Sequence, residues 1–391
     1  MKSLKTLLFV VLSLSMISCG KDNNDLDLNS PLTISVSKDI IQTDGKDYAE
    51  VTVKLNDEVI NEELAFYFKE GKFLKPATKY VTGSRFSIDK AGTYRLMARY
   101  GTFSTAPVTI HAIPVAVPET PADPIESSVD FKTRALLIQF TGVACGNCPR
   151  AKTIMKSIGE GRTSVSPDSY VKIECHNYSG DGFLDKAEFD TELSSPDFCM
   201  GYPSLNANFC PAPMSDGMGT EDNVVAYITR ALDQMSPKAG LALNFSVLER
   251  QAILKVTVKA GVTSEFRVGG VLLEDGIVSK QISATADWMH THNACIRWMD
   301  AGKNYTGVTL EEMIKGEEKS YVFIWDLDAI EKDRKANPGV DYWDGINPDN
   351  LRAAAYVTMP SPSGKMGYIV VNAVQTTSNN QTVPYEYNER D

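Results

Sequence analysis

The sequence predicts a multidomain chain: a β-sandwich first, an α/β segment in the middle and a second β-sandwich last. Three observations carry this. Apolar and polar residues alternate at period two over residues 31–113, and strand-like runs return from 239 onward. Between them the short apolar run RALLIQF precedes a pair of cysteines and a helix-spaced pattern, as a buried central strand leading into a helix would. A proline-rich stretch, PVAVPETPADPIESS, separates the first segment from the rest.

The N-terminus has its own logic. Lys2 and Lys5 precede an apolar stretch from Leu7 to Ile17, too short to span a bilayer and suited to a secretory signal. Ser18 and Cys19 close it in a pattern that resembles a bacterial lipobox, which implies cleavage after residue 18 and acylation of Cys19. Residues 19–30 are polar and read as a tether. Lys21, Asp22, Asp25 and Asp27 resemble the acidic export signal of Bacteroidetes-type surface lipoproteins. Loss of residues 1–18 removes two lysines and no acids, so the net charge of −11 becomes −13. That balance argues against nucleic acid as a partner.

Within residues 31–113 the alternating sets are Leu32, Ile34 and Val36; Ala49, Val51, Val53 and Leu55; Tyr94, Leu96, Ala98 and Tyr100; and Val108, Ile110 and Ala112. Each set faces one side of a sheet, and TDGKD, VTGS and DKAGT supply turns. The segment resembles a bacterial immunoglobulin-type sandwich, a spacer or adhesive module. Residues 114–129 read as a semi-rigid linker.

Residues 130–236 change character. After RALLIQF and the cysteines, Ala151, Ile154, Met155 and Ile158 fall at helical spacing. SYVKIECH is a second strand, GYPSLNANF a proline-led third, and EDNVVAYITRALDQ a helix with Val224, Val225, Ile228 and Leu232 on one face. Strand, CxxC, helix, strand, proline-led strand, helix is a thioredoxin-like order. From 237 to 391, runs such as AILKVTVKA, YVFIWDL and GYIVVNAVQ read as the second sandwich.

IQFTGVACGNCPRA, together with GYPS, VLLEDGIVSKQ, HTHNACIRW and GYIVVNAVQ, resembles the outer membrane protein 28 family over roughly residues 130–378. The resemblance implies a lipid-anchored outer-membrane protein with a thioredoxin-like core and a C-terminal β domain. It also implies a receptor or adhesion role toward a protein or glycan, with no agreed reaction. The histidine region, His290-x-His292-Asn293-x-x-Ile296-Arg297, is looser than the family's pattern.

The cysteine pair is the candidate site. Cys145 fits the exposed attacking thiol at a helix N-terminus, where amide groups stabilise a thiolate, and Cys148 fits the resolving thiol. Pro149 suits the first turn, Arg150 and Lys152 add positive charge, and Pro203 is the proline expected to face the dithiol. Two features point the other way. Gln139 stands where a proton-relaying acid belongs, and Ala144 where an aromatic precedes the first cysteine. Working dithiol, structural disulfide and metal pair therefore stay open, the last least suited to an exported chain. Cys199 and Cys210 flank Pro203 and are a possible disulfide; Cys175 and Cys295 read as buried small hydrophobes or a further pair.

Weaker signals complete the reading. Asn177, Ser179, Asp181, Gly182 and Glu188 match some positions of a calcium loop, but a strand precedes them. His290, His292 and Cys295 have metal-like spacing, and His176 ends a strand that could approach the dithiol, yet no metal is expected. Trp288, Trp298, Trp325 and Trp343 suit a core or a ligand surface. No serine elbow, phosphate-binding glycine loop or HExxH occurs, and no cofactor is expected.

Overall fold

The computed structural model describes residues 31–176, 178, 199, 201–210, 213–214, 218–300, 305–335, 345–361 and 367–388. The expected signal segment, the expected tether with Cys19, the 177–188 loop as a unit and Trp343 lie outside them. The chain is β-rich and divides after Pro114 into two compact units.

The N-terminal unit holds two sheets. One orders the strands Leu32–Val36, Ala49–Leu55, Arg85–Phe86 and Val81–Thr82; the other orders Ile40–Gln42, Val108–Ile113, Gly92–Tyr100, Ala65–Glu70 and Phe73–Pro76. Every apolar residue of the alternating sets enters a single core, joined by Phe66, Phe68 and Phe86. Period-two alternation is sufficient here because each sheet buries one face.

The C-terminal unit is built on one eight-stranded sheet. Its strand order begins Ser204–Ala207 (hereafter β3), Ala135–Thr141 (β1), Tyr170–His176 (β2) and Cys295–Asp300 (β4), and continues Ser264–Glu274, Leu351–Pro360 and Tyr368–Gln375. Val308–Met313 pairs on Ser264–Glu274. β1 and β2 are parallel, β3 runs antiparallel to β1, and β4 joins β2 at Glu174↔Cys295. The expected boundary at 236/237 therefore falls within one continuous sheet: a strand from beyond it is hydrogen-bonded to the β2 edge of the α/β segment. The strand order explains this, since the parallel edge of β2 is closed by β4, where Glu174 N donates to Ala294 O at 2.7 Å.

The sheet curls so that its far strand returns to its start. Val370 N donates to Asn208 O, and Asn372 bonds Arg134 N, Lys132 O and Ala239 O. Leu136, Ile138, Phe140, Val171, Ile173, Cys175, Leu273 and Tyr356 share the core inside that curl. A second sheet of Glu318–Asp326, Gln251–Ala260, Ala239–Leu248 and Gln381–Val383 packs through a larger core against the Ser264–Glu274 side. Two helices, Cys148–Gly159 (α1) and Glu221–Asp233 (α2), cover the other face of β1. The apolar residues read at helical spacing on both helices all pack there.

The proline-rich stretch behaves differently from a linker. Lys259 Nζ donates to Asp123 Oδ2 at 2.6 Å, Tyr387 OH to Asp123 Oδ1 at 2.8 Å and Asn244 Nδ2 to Glu119 O at 2.8 Å. Lys259 is nearly fully buried, so its charge needs Asp123 beside it, and that ion pair draws the segment onto the second sheet.

Candidate functional site

Cys145 and Cys148 form a disulfide where β1 hands over to α1. Cys148 opens the helix, Pro149 follows in the first turn, and Asn147 is the N-cap residue without a side-chain cap. Cys145 N donates to Gly142 O and Cys148 N to Cys145 O, so the loop is a tight turn. The Tyr202–Pro203 peptide is cis. Gly201 and Tyr202 from that turn, Gly146, Asn147, Pro149, Arg150 and Thr153 from the CxxC segment, and Ser283, Thr285 and Met289 line one groove of about 780 Å³.

Two expectations about this site change. Cys145 is not exposed: only 3% of its surface is accessible. A strap from Ile277 to His292 crosses it, and the Gln281 carboxamide lies 3.1 Å from each of Gly142 O, Val143 O and Cys145 O. Ile282 N donates to Val143 O. Lys152 does not lend charge to the dithiol either. It turns inward, and its ammonium donates to Met289 O, Thr291 O and His292 Nδ1 at 2.9–3.1 Å. Gln281 closes the VLLEDGIVSKQ motif, but sequence reasoning gives it no role at the site, because it meets the site from 136 residues away.

Cys199 and Cys210 do not pair. Cys199 Sγ lies 3.5 Å from both Gly201 O and Ser204 Oγ, before β3, whereas Cys210 N bonds Ala207 O beyond it. A four-residue strand holds its ends about 10 Å apart, past the 4.4–6.8 Å Cα range of a disulfide. Cys175 and Cys295 are likewise unbridged. Glu174 is the register partner of Cys295, so Cys295 shares its face of the sheet while Cys175, one residue on, faces the opposite core.

Beneath the strap is a buried polar cluster. Glu174, His176 and His292 bring one ligating atom each within 4.8 Å of one another. His290 is not a member of it; its Nδ1 accepts from Gln281 N. Lys172 donates to Glu174 at 2.7 Å, and His176 contacts both Glu174 and the Cys295 thiol. The donor types suit a transition metal, but the charge does not: two ammonium groups already outnumber the one carboxylate, and Lys152 holds the His292 Nδ1 lone pair. The residues therefore form a compensated network and do not fit a cation. Burial alone would raise the Glu174 pKa, but Lys172, His176 and Lys152 outweigh it and hold the carboxyl well below its usual range. Burial, with His176 and Lys152 adding to it, lowers His292 to about 3. Burial pushes the Cys295 thiol up.

Gln139 is fully buried opposite Glu174 in the β1–β2 register, and neither its Nε2 nor its Oε1 has a hydrogen-bond partner among the described residues. Of the tryptophans, Trp325 is core, Trp298 packs beside it, and Trp288 stands 37% exposed on the strap. No helix among the described residues is long and apolar enough to cross a membrane.

No family profile matches the chain, and no curated protein does. Solved structures similar to it include HBP35 of Porphyromonas gingivalis, at 17% identity and a TM-score of 0.49 over 65% of this chain and 77% of that one. Another is a domain of the outer membrane lipoprotein Omp28 from Porphyromonas gingivalis, at 16% identity and a TM-score of 0.21 over 36% of this chain and 88% of that one. The second carries the name of the family that the sequence motifs resemble.

Proposed function

We propose that this chain is a lipid-anchored outer-membrane surface protein that binds an extended polypeptide or glycan in the groove beside Cys145–Cys148. The observation that carries this reading is the groove itself, within the 300–1,000 Å³ typical of ligand sites and walled by the CxxC turn, the Pro203 turn and the strap. Its lining mixes backbone at two glycines with Arg150, Asn147 and Tyr202, which suits a chain of alternating polar and apolar groups. The covered Cys145 and the acid-free Gln139 position favour a disulfide that shapes the groove wall. Support for the anchor is the apolar signal run ending at Cys19 and the resemblance to outer membrane protein 28. The N-terminal unit is read as an immunoglobulin-like spacer and the 130–236 segment as a thioredoxin-like scaffold.

A second reading is thiol–disulfide exchange, with Cys145 attacked and Cys148 leaving; the groove that the CxxC turn shares with Gly201 and Tyr202 favours it, since it could seat a partner thiol's chain beside the pair. The reduction potential separates the two. A value below about −300 mV leaves a structural bridge and a binding protein; one between about −120 and −270 mV, with Cys148→Ser trapping mixed disulfides, makes it an exchange site. For the anchor, Cys19→Ser should move the protein from the membrane to the soluble fraction; retention at the membrane overturns it.

A further inference from the structure

The strap over the disulfide is held in a way that matters for its chemistry. Its two ends leave the main sheet at Glu274 and Cys295, and it pairs with itself at Ile277↔His292 and Val278↔Thr291. It is a hairpin hung from the sheet. Its outer side is unpacked: Val278 is 73% exposed and Ile282 49%. Inward, Ile277 packs against Val143, Met289 is buried, and Ile282 N donates to Val143 O. The side-chain hydrogen bonds that tie it to the CxxC turn and α1 fall at two points. At the tip, Gln281 is 2% exposed and its amide faces carbonyl oxygens only: Gly142, Val143, Cys145 and, at 3.4 Å, Ile282. A ring of acceptors fixes the orientation of the amide, NH₂ inward, because the reverse would set oxygen against oxygen. At the return, the Lys152 ammonium grips Met289 O and Thr291 O from the first turns of α1.

We propose that Ile277–His292 is a lid, latched by Gln281 and Lys152, whose opening controls access of thiols to the Cys145–Cys148 disulfide. Elements held by few apolar contacts open locally while the rest of the fold stays intact, and this one carries its exposed apolar residues outward and its latches inward. With the lid shut, Cys145 Sγ is out of reach of an incoming thiolate. With it open, the thiolate attacks Cys145 Sγ, a new S–S bond forms, and the electron pair of the old one leaves on Cys148 Sγ, which takes a proton from water. A second equivalent of thiol then releases Cys145 as a thiol and departs as the oxidised dimer. Gln281 and Lys152 are positioning residues: neither touches the transferred electrons. The lid deepens the exchange reading of the site, but its test does not depend on a biological substrate.

The test uses the chain from residue 19 with Cys19→Ser, dithiothreitol as the thiol, and alkylation with peptide mapping of Cys145 and Cys148 to follow reduction. One net hydrogen bond is worth about 1 kcal/mol, a factor of roughly five, so Gln281→Ala should speed reduction about fivefold or more. Gln281→Glu, which turns a carboxylate onto the same carbonyls, should speed it further, and Lys152→Met should do so by about the same factor as Gln281→Ala. Thermal midpoints of the Gln281 variants should move little, which separates a latch from a general loss of stability. Should Lys152→Met fail to fold, hydrogen exchange of the unaltered protein decides: the amides of Ser279 and Ile282 should exchange well before those of β1. Unchanged reduction rates in both Gln281 variants overturn the proposal, as does exchange of Ile282 only with global unfolding. Fast reduction in the variants combined with a strongly reducing potential would keep the lid and end the exchange reading.

Discussion

The two faces of β2 are equally deep and built on opposite principles. Val171, Ile173 and Cys175 enter the apolar core inside the curled sheet. Lys172, Glu174 and His176 alternate with them toward α1 and the strap, and Glu174 and His176 are 3% and 1% exposed. The first face is held by area removed from water and would tolerate any well-packed set of similar volume. The second is held by compensation: one carboxylate, two ammonium groups and two imidazoles, of which only Lys172 reaches solvent, so the buried members need one another. The contrast teaches that burial by itself does not mark a hydrophobic core. The polar face also has a task the apolar one lacks, since Lys152 both balances Glu174 and fastens the strap.

The sharpest way to break the comparison is to delete the carboxylate. Glu174→Ala strips Lys172 of its ion-pair partner and the buried Lys152 of the carboxylate that favours its charge, and removing one partner of a buried pair costs about 3–5 kcal/mol. Ile173→Val, on the apolar face of the same strand, should cost only about 0.5–1.5 kcal/mol. Urea unfolding of both variants at pH 7 gives the difference. A loss below about 1 kcal/mol for Glu174→Ala would mean that the polar face is not held by compensation.

Acid sharpens the same contrast by a smaller amount. His292 is neutral in the fold, with a pKa of about 3 against an ordinary 6.5. Between those values the unfolded chain binds the proton and the folded one does not, so stability is fully present above about 6.5 and is lost as pH falls toward 3. Glu174, whose carboxyl is also held low, adds loss in the same direction once pH falls below its ordinary 4.5. At about 1.4 kcal/mol per unit, lowering the pH from 6.5 to 5 should remove about 2 kcal/mol through His292. His292→Asn keeps an acceptor for Lys152 and should flatten that slope; an unchanged slope would assign it elsewhere.

How far the sequence announces these features follows from the same division. Period-two alternation identifies every core residue of the four sets read in the N-terminal unit, and the 3.6-residue period does so for α1 and α2, because apolar burial leaves a local period. The CxxC pair at the start of α1 and the proline-led strand at Pro203 were also legible, being short-range, although the sequence leaves the state of the cysteines open between dithiol, disulfide and metal pair. Compensation leaves no period. Lys152 meets His292 across 140 residues and Gln281 meets Cys145 across 136, so a lysine on an amphipathic helix reads as solvated and a glutamine in a polar stretch reads as loop. The joining of β4 to β2 was hidden for a related reason: a strand's sequence tells which face is apolar, not which neighbour it will find.

The smallest effect tests whether compensation is complete. Gln139 lies on the polar face beside Glu174 in register, fully buried, with both amide atoms lacking a partner among the described residues. A buried polar group left unpaired costs free energy that an apolar group of the same shape does not. Gln139→Leu should therefore raise stability by about 1 kcal/mol, measured by urea unfolding at pH 7, with the Cys145–Cys148 disulfide retained by mass. Should the variant instead be less stable, the amide is bonded to internal water under the CxxC turn, and the polar face extends from the Glu174 cluster to the base of the disulfide. Either sign locates the edge of the network, because Ile138 and Phe140, the neighbours of Gln139 along β1, already belong to the apolar core on the other side.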